Sequence, residues 1–138
     1  MPGVLYTAME KFTAIAEVVR GLKMRGVDPR NFGPDDWWVY EIRIQADKLL
    51  NLGNEKIRSE LGVTTEALVA DDTAETRRIG SHARDTGLQA LRAPSAAASG
   101  KENLVLFLDK LPGIPEVIYR RTCQRILSSS LLSAVSKD

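Results

Sequence analysis

Few residues in this 138-residue chain have side chains suited to chemistry, and their scarcity narrows the choices. There is one histidine, His82, and one cysteine, Cys123. A single cysteine rules out an internal disulfide and a cysteine-rich zinc site, and a single histidine rules out a histidine-rich one. Only carboxylates remain to build a metal site. A Ser-His-Asp triad would have to use His82, which falls in a predicted helix among Arg77, Arg78 and Arg84 and reads as a surface side chain. A serine hydrolase built on Ser95 would also lack the Gly-x-Ser-x-Gly elbow, because the serine stands in Ala93-Pro-Ser-Ala96. No Gly-x-Gly-x-x-Gly or Gly-Lys-Ser/Thr loop is present, so the common nucleotide-binding loops find no support.

Two places remain. Ser95 opens a bare stretch, Ser95-Ala-Ala-Ala-Ser-Gly100, which leads into the apolar run Asn103-Leu-Val-Leu-Phe107. Pro-Ser is ordinary turn chemistry, but Ala96 to Ala98 is not, since a turn favours Asn, Asp or Gly. The alternative is a wall kept small so that a ligand can approach the backbone. The second place is Glu17. At 100° per residue, Phe12, Ile15, Ala16, Val19 and Leu22 fall on one helical stripe, and Glu17 lies well away from it. It faces solvent or a cleft.

The elements that must position these groups follow from periodicity and punctuation. Val4 to Ala8 is β-prone, and Glu10 to Met24 has helical spacing closed by Gly26 and Asp28-Pro29. Trp37 to Ile44 reads as a strand whose Trp38, Tyr40, Ile42 and Ile44 face is expected to be buried. Leu49 to Leu52 is a short apolar run. Glu55 to Leu61 is a helix ended by Gly62, and Thr64 or Thr65 caps another through Ala70. Asp72-Thr-Ala-Glu75 resembles a capping box before a helix that ends at Gly87. Two strands flank the Ser95 loop. Pro112-Gly-Ile-Pro115 breaks the chain, Glu116 to Tyr119 is a last strand, and Cys123 to Val135 a serine-rich helix. Strands and helices without regular alternation predict an α+β fold of mixed small sheets with flanking helices.

Composition bounds the rest. Hydrophobic residues make up 43% and charged residues 27%, with a net charge of +1, as in one ordinary globular domain. Nothing favours direct nucleic-acid binding or an anionic membrane surface. The apolar runs are too short to span a bilayer, and the first residues lack a signal-peptide pattern, so a cytoplasmic location is expected. Trp37 and Trp38 read as strand packing, Cys123 as a small buried residue, and Arg77-Arg78 and Arg120-Arg121 as solvated faces.

Three blocks, in order, carry a resemblance. Leu5-Tyr-Thr-Ala8 is followed by Thr13-Ala-Ile-Ala-Glu17; Asp72-Thr-Ala-Glu-Thr76 by Ile79-Gly-Ser-His-Ala-Arg-Asp-Thr-Gly87; and Ala93-Pro-Ser95 by Asn103 to Phe107. From residue 3 to about 108 the chain resembles the RES domain family, named for an arginine, a glutamate and a serine. The resemblance implies an ADP-ribosyltransferase-like fold and a toxin of a toxin–antitoxin pair that destroys NAD⁺ as substrate, with no resident cofactor and no metal. It also implies a helix-turn-helix antitoxin as partner. It assigns the family glutamate to Glu17 and the serine to Ser95, both as catalytic residues. It assigns an active-site tyrosine to Tyr6, with Tyr6 and Ser95 contacting the substrate. The family arginine lies upstream of the Leu-Tyr block, and no arginine precedes Tyr6 here. An N-terminally incomplete RES-like domain over residues 1–110 and an extension over 111–138 are therefore expected. A sheet edge left open by a missing strand predicts self-association or dependence on a partner.

The chemistry such a site needs is specific. Nicotinamide leaves as a neutral ring, and the difficulty is the oxocarbenium-like ribose left behind. A carboxylate beside it, Glu17, stabilises that charge. A phenol such as Tyr6 stacks on a pyridinium or bonds a ribose hydroxyl, and a small serine bonds the sugar without blocking entry. An arginine fork would grip the pyrophosphate. The alternative is a catalytically inactive RES-like remnant acting as a protein-binding module.

Overall fold

Strand β1 (Val4–Ala8) runs along β5 (Glu102–Phe107), which pairs on its other side with β4 (Ala90–Pro94). Both pairings are antiparallel. Strand β3 (Leu49–Asn51) joins β4 in parallel, so the four-stranded sheet has the order β1-β5-β4-β3. A separate two-stranded ribbon pairs β2 (Trp38–Arg43) with β6 (Glu116–Thr122). The computed structural model describes residues 3–28, 38–70 and 73–122, excluding the side chains of the last two. The expected helix at 123–135, Cys123, Trp37 and Asp72 lie outside these residues.

Among the described residues four α-helices flank the strands: α1 (Lys11–Met24), α2 (Glu55–Leu61), α3 (Thr65–Leu68) and α4 (Ala74–Asp85). Their ends follow local chemistry. Asn54 and Thr64 accept backbone N–H bonds from Ile57 and Ala67 and so cap α2 and α3. Gly62 at φ 68° and Gly87 at φ 87° take the left-handed turns after α2 and α4, which suits residues without a Cβ. The expected capping box before α4 begins at Asp72, outside the described residues. Thr73 stands at the N-cap with φ −93° and ψ 8°, its own side chain makes no cap bond, and the Glu75 carboxylate is held by Arg78 at 2.6 Å.

One core cluster joins Leu52, Val63, Leu68, Ile79, Ala83, Leu91, Ala93 and Phe107. The register shows how the sheet feeds it. Val4, Tyr6 and Ala8 lie opposite Phe107, Val105 and Asn103, and Leu91 and Ala93 lie opposite Val105 and Asn103. Alternation therefore puts all of these on one face, the face of the cluster. Ala90 and Leu106, paired with each other on the opposite face, are also buried.

The expectation of a buried face on β2 is not met. Trp38 and Tyr40 are 46% and 51% exposed. An alternating pattern signals pairing, but among the described residues no second sheet covers either face of the two-stranded ribbon. Ile118 is the extra residue of a bulge in β6, since Glu41 pairs with Tyr119 and Ile42 with Val117. The stripe on α1 is likewise divided. Ile15 and Val19 are buried, whereas Phe12 is half exposed with the Lys11 ammonium 5.3 Å from its ring centre. An open cleft of about 1090 Å³ separates α1 and β1 from the ribbon and is lined by Tyr6, Phe12, Val18, Trp38, Tyr40 and Tyr119 among others. Among the described residues no helix is long and apolar enough to cross a membrane.

Candidate active site

Ser95 sits where the chain leaves β4, and its hydroxyl organises the bend. Backbone N–H groups of Ala97 and Ala98 both donate to Ser95 Oγ at 3.1 Å. The bend closes through Ser95 N to Lys101 O at 2.9 Å and Lys101 N to Ala98 O at 3.1 Å. The serine itself thus supplies the turn chemistry that the alanines lack. With both acceptor positions of Oγ in use, its single proton points elsewhere. It is donated to Glu17 Oε1 at 2.6 Å, a short hydrogen bond.

Glu17 reaches this point from the second turn of α1. The same Oε1 accepts a second bond, from Asn103 Nδ2 at 2.8 Å. Two donors thus converge on one carboxylate oxygen, and Oε2 takes no part in either bond. The three residues come from α1, the bend after β4 and the start of β5, and Glu17 is separated in sequence from its partners by 78 and 86 positions. Glu17 is half-buried and Ser95 is 5% exposed. Nearby charges are tied to one another: Lys101 Nζ lies 3.5 Å from Glu10 Oε1, and Arg92 Nη2 lies 2.7 Å from Glu102 Oε1.

Two of the three residues expected from sequence, Glu17 and Ser95, are therefore in direct contact. The third, Tyr6, is 75% exposed on the edge strand β1. It faces the same side of the sheet as Asn103 and lies diagonally across from it, since Tyr6 pairs with Val105 and Ala8 with Asn103. No hydrogen bond joins Tyr6 to Glu17 or Ser95. Neither Glu17 nor Ser95 lines this cleft, although Tyr6 does, so the carboxylate and the cleft are distinct features. His82 is exposed on α4 and is not bonded to Ser95, whose proton goes to Glu17. Among the described residues no group of three or more His, Cys, Asp or Glu is arranged to hold a metal ion.

Asn103 is the residue the sequence reading passed over, naming it only as the head of an apolar strand. A signal was available. Alternation puts it on the face of Val105 and Phe107, where a polar side chain calls for a reason.

The fold and this buried network define a small α+β domain that holds one oriented carboxylate. Its family follows from comparison: the RES domain profile matches residues 1–126, and the chain belongs to the RES domain family. A Mycobacterium tuberculosis protein described as a "Probable NAD(+) phosphorylase" is 34% identical over 119 residues, 82% of this chain and 52% of the relative. The chain thus spans about half the length of that curated relative. Among solved structures, the M. tuberculosis MbcT-MbcA toxin–antitoxin complex contains a chain that superposes with a TM-score of 0.74 at 18% identity, covering 94% of this chain and 71% of that one. At that identity the likeness speaks for the shared fold.

Proposed function

We propose that this chain carries the site of an NAD⁺-degrading enzyme of toxin–antitoxin type. The observation that carries the reading is Glu17, with Oε1 fixed by Ser95 and Asn103 and Oε2 left for a ligand. The bond between the nicotinamide nitrogen and ribose C1 breaks, and its electron pair leaves with the ring. Glu17 stabilises the positive charge that develops on the ribose, water or phosphate adds to C1, and a proton is released. Tyr6 offers its ring and hydroxyl to the pyridinium or the ribose. Ser95 acts through Glu17, because its one donor and both acceptor positions are already used.

Two likenesses support this: the relative described as an NAD(+) phosphorylase, which favours phosphate as acceptor, and the structural neighbour from a toxin–antitoxin complex. A protein antitoxin, of helix-turn-helix type, is the partner in this reading, and the protein acts in the cytoplasm. The test follows nicotinamide release from NAD⁺ with and without phosphate. Glu17→Gln is expected to lower the rate by about 100-fold or more, the range seen when a preorganised electrostatic stabiliser is removed. Release by folded Glu17→Gln at the unaltered rate removes Glu17 from the mechanism. No release by the folded parent chain rejects catalysis and leaves the protein-binding module.

A further inference from the structure

We propose that Asn103 is a positioning residue for Glu17, and that its amide fixes the carboxylate with Oε1 held as acceptor and Oε2 left for a ligand. This rests on the reading of Glu17 as the charge-stabilising carboxylate. Asn103 Nδ2 donates to Glu17 Oε1 at 2.8 Å, while Asn103 Oδ1 is buried and has no hydrogen-bond partner among the described residues. A buried acceptor without a partner destabilises a fold. Turning the amide over would set Oδ1 against Glu17 Oε1, oxygen to oxygen. Oε1 cannot relieve that clash by carrying the proton of its own hydrogen bond to Ser95, because Ser95 Oγ already accepts from Ala97 and Ala98 and must donate. The amide orientation is therefore dictated by the carboxylate, and the unpartnered Oδ1 is its consequence.

The surroundings fit a residue retained for aim. Asn103 is flanked across the sheet by Ala8 on β1 and Ala93 on β4, neither of which can hydrogen-bond it through a side chain. The charged and titratable groups on the adjoining elements are Glu10 at the N-cap of α1, Lys11, Arg20 and Lys23 on α1, Tyr6 on β1, Arg92 on β4, and Lys101 and Glu102 around the start of β5. Glu10 is paired with Lys101, and Arg92 with Glu102. Asn103 is then the neutral donor that holds Oε1 without adding charge.

The discriminating substitution is Asn103→Asp. The introduced carboxyl would stand in hydrogen-bond contact with Glu17, and two ionised carboxylates so close repel. The pair shares one proton at low pH, and the introduced group then donates to Oε1 as the amide does. As pH rises that proton is lost, and the resulting pair of negative charges pushes Glu17 out of position. Nicotinamide release from NAD⁺, measured from pH 5 to 9, is expected to show an alkaline fall in Asn103→Asp that the parent lacks. Asn103→Ala is expected to lower kcat by about 10- to 100-fold with KM changed less than about threefold, as for an interaction made in the transition state. A folded Asn103→Asp with the parent's pH profile, or an Asn103→Ala that raises KM alone, overturns the proposal. An inactive parent chain instead overturns the reading of Glu17 on which it rests. Where Asn103→Ala does not fold, the pH profile of Asn103→Asp decides alone. If neither variant folds, the unfolding midpoint of Asn103→Gln, which keeps the donor, decides by matching the parent's or not.

Discussion

Ser95→Ala removes one atom that serves three bonds, and its effect can be worked out before it is measured. The alanine fits where the serine was, so packing barely changes. Lost are the donation to Glu17 at 2.6 Å and the acceptance of the Ala97 and Ala98 N–H groups at 3.1 Å. A hydrogen bond to a charged group contributes about 1.5–3 kcal/mol, and a neutral one about 0.5–1.5 kcal/mol. Ala97 and Ala98 are half-buried, so water recovers part of their loss. The expected total is about 2–4 kcal/mol, inside the roughly 5–15 kcal/mol by which domains are stable, so the variant folds and can be measured. With a urea slope of about 2 kcal/mol per molar, the midpoint falls by roughly 1–2 M.

A double-mutant cycle isolates the contact. Glu17→Gln keeps an acceptor for Ser95 and Asn103 but removes the charge. Ser95→Ala in that background is then expected to cost about 1 kcal/mol less than in the parent, the difference between a charged and a neutral acceptor. Additivity within about 0.3 kcal/mol, or a Ser95→Ala midpoint equal to the parent's, would refute the network. The reasoning depends only on equilibrium unfolding, so it stands or falls apart from any activity.

Two other outcomes test the frame around the site. Leu52 is fully buried in the core cluster, and Leu52→Ala is expected to lower stability by about 2–5 kcal/mol in urea unfolding; a loss under about 1 kcal/mol would mean the cluster is loosely packed. The Arg84 guanidinium, 3.1 Å from Asp109, holds the Asp109 carboxyl below its ordinary range, chiefly through their hydrogen bond. A depressed carboxylate gives stability that is complete above its unfolded pKa and is lost as pH falls through the folded one. Asp109→Asn is therefore expected to flatten the acid limb of the stability profile below about pH 4 and leave the slope near neutrality unchanged; an unaltered acid limb would contradict it.

Much of the fold was legible because its signals are local. Gly62 and Gly87 end helices, Thr64 caps one, and the Asn103 to Phe107 run is a strand, each set by residues a few positions apart. The α+β class followed from the irregular order of these elements. Two expectations failed where burial depends on what covers an element. Trp38 and Tyr40 alternate as a half-buried strand would, but among the described residues no second layer covers the ribbon. Phe12 lies on the apolar stripe of α1, yet it borders an open cleft. At the site, Glu17 announced itself by standing off the stripe and Ser95 by its odd neighbours. That the two touch was not legible from spacing, since 78 positions separate them.

The bare stretch after Ser95 gains its explanation from the network. Ser95 Oγ must accept two backbone N–H groups for its proton to be committed to Glu17, so the chain has to curl tightly over the hydroxyl. Small residues at 96 to 98 permit that curl, and Ala8 and Ala93 leave the amide of Asn103 unobstructed on either side. Smallness and turning were competing explanations of the same alanines, and the geometry makes them one requirement. A hydroxyl with a fixed proton and an amide with a fixed face both aim at the same oxygen, Glu17 Oε1. The cost is an unpartnered Asn103 Oδ1 in the interior. A fold selected for stability alone would place an apolar residue at position 103, as it does at positions 105 and 107 on the same face.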